Sequence, residues 1–134
     1  MKEMKLNRIK IDEKRSEQVI VLKEVNGDML LPVVIGIPEV NAIKLKLSGI
    51  QPPRPLTHDL LNATIRALGA QLIKILIDKL ENRTFFAKLV ILDRDGKEVF
   101  IDARPSDSIA LALRADVPIF VDDTVLDEAG VRPS

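Results

Sequence analysis

The stretch that most constrains this chain is residues 102–113, Asp-Ala-Arg-Pro-Ser-Asp-Ser-Ile-Ala-Leu-Ala-Leu, which reads as a strand end turning into a buried helix. Val99, Ile101 and Ala103 alternate with Phe100 and Asp102, the period of a strand. Pro105 stops that strand and suits the first helical position, where its missing N–H costs nothing. Asp107 falls in the first turn, where a carboxylate meets free backbone N–H groups and the positive end of the helix dipole. The unbroken apolar run 109–113 then demands a helix covered on most sides. Asp102, Arg104, Ser106 and Asp107 crowd the mouth of this rigid platform, and such corners are where chemistry tends to sit. Asp102, following an apolar strand, is expected to be partly buried.

Around this corner the chain alternates short strand and helix patterns. Met4, Leu6, Ile9 and Ile11 form a strand whose phase slips near Asn7 and Arg8, as at a bulge. Residues 18–25 and 29–35 make a hairpin through Asn26-Gly27, a pair suited to a type I′ turn, and the second arm carries so few charges that a central position is expected. Pro38 opens a helix with an inward stripe of Val40, Ile43 and Leu47, closed by Gly49. A stiff linker with prolines 52, 53 and 55 leads to a second helix, with Thr57 as N-cap and Leu61, Ile65 and Leu68 facing inward. Residues 71–80, 84–92 and 97–103 form a meander, whose first strand carries apolar residues on both faces and should be covered on both sides. A short strand 118–121 and a helical turn 125–129 end the pattern. The expectation is one α+β domain over residues 1–134, with antiparallel or mixed sheets (a hairpin over 18–36 and a meander over 71–103) packed with three main helices.

Composition excludes several classes of function. No cysteine is present, so disulfides, thiolate nucleophiles and cysteine zinc sites are absent, and with one histidine a histidine-rich zinc site is impossible within one chain. A metal would be Mg²⁺ or Mn²⁺ on oxygen ligands. Lys+Arg and Asp+Glu both total 20, so a large non-specific nucleic-acid footprint is disfavoured and any phosphate contact must be local. The 46% hydrophobic content with four Phe and no Trp or Tyr predicts an aliphatic core. No stretch approaches a membrane span, and the start Met1-Lys2-Glu3-Met4-Lys5 has no apolar segment of a signal peptide, so a cytoplasmic protein without membrane contact is expected. Few Asn and Gln alongside the missing Cys lean towards a thermophile.

Two segments share one pattern. Arg54-Pro55 precedes Thr57, His58 and Asp59, and Arg104-Pro105 precedes Ser106 and Asp107, an Arg before a Pro and then a hydroxyl and an acid at a helix start. If the two starts converge, they offer free N–H groups, two guanidinium forks and several carboxylates, a set suited to a phosphate or a metal-bridged phosphate. His58, Asp59, Asp102 and Asp107 are therefore the catalytic candidates; Arg54, Arg104, Thr57 and Ser106 are the phosphate-binding candidates; and Asp102, Asp107 and Glu39 are the metal candidates. His58 alone can shuttle a proton near neutral pH without a strongly shifted pKa. Each has a plainer reading: helix-start acids stabilise by about 0.3–1 kcal/mol without any function, and an arginine often bridges a neighbouring acid. Phosphate loops, dinucleotide fingerprints, HExxH and GxSxG motifs are all absent.

These segments also carry a family likeness. Leu31-Pro32-Val33-Val34-Ile35-Gly36 with Glu39 and Ala42-Ile43, Pro53-Arg54-Pro55-Leu56-Thr57-His58-Asp59-Leu60-Leu61, Thr84-Phe85-Phe86-Ala87 and Asp102-Ala103-Arg104-Pro105-Ser106-Asp107-Ser108-Ile109-Ala110-Leu111-Ala112 closely resemble the bifunctional nuclease family, from about residue 4 to residue 131. The resemblance implies a nuclease acting on both DNA and RNA, and an oligomer, for which a dimer is the base-rate expectation. A divalent cation on Asp102, Asp107 and Glu39 would activate water, with weak, local contacts to nucleic acid. The rival expectation is a non-catalytic oligomeric binding or assembly module, whose polar cluster lines an interface or a small-anion pocket. Mutual bonding and closure of Arg54, His58, Asp102 and Arg104 would favour that rival, and an open cleft would favour hydrolysis.

Overall fold

The computed structural model describes residues 1–12 and 17–133. In chain order these form β1 (Lys2–Asp12), β2 (Glu17–Glu24), β3 (Leu30–Ile35), α1 (Ile37–Leu47), α2 (Thr57–Ala67), β4 (Gln71–Glu81), β5 (Thr84–Leu92), β6 (Glu98–Ala103), α3 (Pro105–Ala115), β7 (Ile119–Val121) and α4 (Asp123–Ala129). All the strands join one sheet in the order β3-β2-β1-β7-β4-β5-β6, so the fold is α+β. The hairpin and the meander are separate by sequence. Three-residue β7 unites them, antiparallel to β1 and parallel to β4.

One face of the sheet carries the core. Leu22, Leu31, Val33, Ile75, Ile77 and Leu89 meet Val40 and Ile43 of α1, Ile65 of α2, Ile109 and Leu111 of α3 and Val125 of α4 in a single aliphatic cluster. Within it α3 has the burial its apolar run demands: Ile109, Ala110 and Leu111 are wholly inaccessible. The phase slip in β1 is also present, as a register shift between Leu6 and Arg8 against β2.

Several local expectations are corrected. β3 is an edge strand, not a central one. Its low charge reflects the buried face of Leu31, Val33 and Ile35, while Val34 is 58% exposed and Pro32, lacking an N–H, is tolerable at an edge. The turn after β2 is a longer loop over residues 25–29, with neither Asn26 nor Gly27 at positive φ. There the Val25 N–H bonds the Glu3 carbonyl, so sheet pairing overrides the turn preference. The left-handed pair is Asn82 (φ 52°) and Arg83 (φ 63°), between β4 and β5. The N-cap of α2 is Leu56 rather than Thr57, and Asp59 Oδ2 accepts the Leu56 N–H at 3.0 Å. This rotation buries His58 and Ile65 and leaves Leu61 and Leu68 39% and 69% exposed. Leu47, beyond the contact of α1, is exposed as well. In β4, Leu72, Ile75 and Ile77 are buried and Leu80, past a register shift, also packs against the core, while Leu76 on the other side is only half-buried, so that strand is not fully covered on both faces.

Candidate functional site at three helix starts

Each of the first three helices begins after a Gly-Ile-Pro or Arg-Pro corner, and three of these starts converge. Pro105 ends β6 and opens α3, which places Arg104 at the N-cap and Asp107 in the first turn. His58 occupies the first turn of α2, and Glu39 that of α1. His58 Nε2 lies 3.0 Å from Asp107 Oδ1, joining positions 49 residues apart. Arg104 lies between two acids: its Nε donates to Asp107 Oδ2 at 3.0 Å and its Nη2 to Glu39 Oε1 at 2.7 Å. His58 and Glu39 are buried, whereas the Arg104 side chain is 67% exposed. Hydrogen bonding and charge from Asp107, then from Glu39, raise the Arg104 pKa above its ordinary value, so the guanidinium stays charged.

The other candidates are placed elsewhere. Asp59 faces away from His58: its Oδ1 accepts Arg114 Nε at 2.7 Å, and Arg114 Nη1 donates to the Ala42 carbonyl at 3.1 Å. Arg114 thereby ties α1, α2 and α3 together behind the site. No short-range pattern marks it, because its partners are 55 and 72 residues away. Arg54, exposed, lines a polar hollow of about 420 Å³ with Lys46, Asp59, Arg114 and prolines 52, 53 and 55. The two guanidinium groups expected at one hollow therefore occupy different ones, since α2 turns Asp59 and the preceding linker towards Arg114.

Asp102 is exposed rather than partly buried. It pairs with Lys88 in the β5–β6 ladder, while its neighbours Ile101 and Ala103 pair with Leu89 and Ala87 on the core side. On that ladder it stands opposite Lys88, which is held above its usual pKa first by Asp78, at 2.8 Å, and more weakly by Asp102. Among the described residues no three His, Asp or Glu side chains form a metal-holding group. Glu39 and Asp107 share Arg104, and Asp102 has no bond to either.

Two hollows flank Arg104. One, of about 630 Å³, is walled by Leu61, Ile65, Phe85, Phe86, Leu89 and Ile101, with Thr57, His58, Asp102, Asp107 and Arg104 also lining it. The other, of about 520 Å³, is lined by Pro32, Val34, Arg83, Phe85, Arg104 and Ser106, the last of which is buried. The arrangement can hold a small, partly apolar ligand beside one imidazole–carboxylate pair and one exposed guanidinium. No helix among the described residues is long and apolar enough to cross a membrane.

Comparison with known proteins identifies the family. The bifunctional nuclease domain model matches residues 20–134. An uncharacterized protein of Mycobacterium tuberculosis is 46% identical over 131 residues, covering 98% of this chain and 77% of that protein. Bifunctional nuclease 1 of Oryza sativa subsp. japonica is 23% identical over 127 residues, 92% of this chain but 38% of the rice protein. Bifunctional nuclease 1 of Arabidopsis thaliana is 27% identical over 117 residues, 84% of this chain and 36% of the plant protein. The chain thus spans well under half the length of these plant relatives. Matched over most of its length by the family model, with a near-full-length relative besides, the chain belongs to the bifunctional nuclease domain family.

Proposed function

We propose that this chain hydrolyses phosphodiester bonds in DNA and RNA, with His58 as the proton-transferring group, Asp107 as its orienting partner and Arg104 facing the phosphate. The observation that carries this reading is the 3.0 Å contact between His58 Nε2 and Asp107 Oδ1 on the wall of an open hollow. An ionised carboxylate only accepts, so Nε2 carries the hydrogen and Nδ1 keeps its lone pair. Nδ1 then takes a proton from the attacking water and returns it to the leaving oxygen, while Arg104 offsets the charge that develops on the phosphoryl oxygens. The names of the rice and Arabidopsis relatives support nuclease chemistry.

Mg²⁺ or Mn²⁺, expected from the sequence, would have to take Glu39 and Asp107 in place of Arg104, and among the described residues no third His, Asp or Glu joins them. These residues do not fit a protein-held divalent cation, and the proton transfer falls to the chain's own groups. In highly purified protein, His58→Ala and Asp107→Asn should each lower cleavage of single-stranded DNA and RNA by about 10²–10⁴-fold, the usual worth of general acid–base catalysis, with unchanged far-UV circular dichroism. Unchanged rates in both variants would mean a contaminating nuclease and would overturn the assignment. Activity that survives EDTA is expected, and its loss would restore the metal-dependent route. The rival assembly module draws on the same bonds from Arg104 and Arg114, which stitch three helices together. It would be favoured by absent cleavage combined with altered oligomeric mass in Asp107→Asn.

A further inference from the structure

We infer that the site selects single-stranded nucleic acid, seating one unstacked base on each side of Arg104. The substrate class rests on the nuclease reading above; the selectivity comes from the walls of the site. Thr84, Phe85 and Arg104 line both flanking hollows, so the two adjoin along a ridge made by these residues. At about 520 and 630 Å³, each falls within the range of small-ligand sites.

The ridge presents a cation and the hollows present apolar faces, which is the alternation of a nucleotide chain. Arg104 uses Nε and Nη2 to hold Asp107 and Glu39, and among the described residues Nη1 makes no hydrogen bond. Nη1 is therefore the donor left for a phosphoryl oxygen, on a side chain 67% exposed. Arg83 adds a second cation in the smaller hollow. Ile101, 43% exposed, offers uncovered apolar surface in the larger one, which Phe86, 36% exposed with Lys79 Nζ 5.4 Å from its ring centroid, also lines; Val34, 58% exposed, does so in the smaller. Two of the chain's four Phe, Phe85 and Phe86, stand here.

A duplex keeps the faces of its bases stacked and cannot offer them to such walls; a single strand can. With Arg83 and Arg104 lining these hollows, Lys79 beside Phe86 and a chain of zero net charge, affinity comes from base burial and few phosphates are neutralised.

Binding of the full chain to a labelled, phosphorothioate-linked oligothymidylate, alone or annealed to its complement, tests this by fluorescence anisotropy. The single strand should bind at least about tenfold more tightly than the duplex. Phe86→Ala should weaken single-strand binding by about five- to a hundredfold and leave duplex binding unchanged. Phe86→Leu, which keeps the bulk but loses the ring, should show the same preference loss if the alanine variant does not fold. The logarithm of affinity should fall with that of salt at a slope of about −0.7 to −1.4, one or two phosphates. Equal affinity for duplex, indifference to both Phe86 variants, or a slope several times steeper would overturn the inference. So would a change in solution mass with no change in binding, which would mean that a second copy covers the hollow. Phe86-dependent single-strand binding without cleavage would leave this inference standing and remove hydrolysis. Cleavage of both substrates without dependence on Phe86 would do the reverse.

Discussion

His58 and Arg114 show how differently single residues can be read. As the one histidine at a helix start, His58 drew attention by chemistry alone, yet residue type could not separate a proton carrier from a first-turn polar group. The Asp107 carboxylate lies 3.0 Å away, across 49 positions of chain, and the proton-carrier proposal rests on that contact. Arg114 drew none, since an arginine in a last helical turn is fully explained by the helix dipole. In the fold its side chain is 6% exposed and bonded to Asp59 and the Ala42 carbonyl. Arg114→Ala should therefore destabilise the protein by about 3 kcal/mol, the low end for breaking a buried pair because Asp59 is partly exposed, read as a lower urea midpoint with an unchanged slope. Arg114→Lys should recover only part of this, since one ammonium cannot reproduce two directed guanidinium bonds.

At the scale of elements, propensity succeeded where one segment's own chemistry governs and failed where a neighbour does. Pro105 and the apolar run of α3 behave as read, and so does the bulge in β1. The loop after β2 and the rotation of α2 do not, because Glu3 and Arg114 reach in from elsewhere. α4 is a case of local control with a pH signature. Asp122 caps it, accepting from the Thr124 N–H at 3.0 Å and the Thr124 hydroxyl at 2.8 Å, and these bonds, the backbone one first, pull its pKa below the ordinary 3.8. The folded state therefore binds fewer protons at this group than the unfolded state does between its depressed pKa and 3.8. Its stabilisation is complete above that window and is lost as pH falls through it. Asp122→Asn keeps an acceptor but removes the titration, so the acid limb of the stability curve should flatten, as measured by thermal melts below pH 4.

For the whole molecule, some large apolar side chains stay exposed. The outer side of α2 carries Leu60 and Leu68, 60% and 69% exposed, beside Ala67. That face suits the dimer given as the base-rate expectation, with α2 packed on a second copy. Leu60→Glu with Leu68→Glu should halve the mass seen by light scattering and leave the circular dichroism unchanged; an unaltered mass would move the contact elsewhere. Residue order by itself determined the α+β class, the meander, the buried α3 and the two Arg-Pro corners, because these depend on alternation, proline geometry and runs of apolar residues within a single segment. Only the tertiary structure decided that β7 would splice two strand sets into one sheet, that Arg104 and Arg54 would part company, that Asp102 would turn towards Lys88, and that His58 would meet Asp107. Those outcomes depend on contacts between segments tens of residues apart, where the energy of packing and pairing lies in the partner and leaves no periodic trace in either stretch of chain.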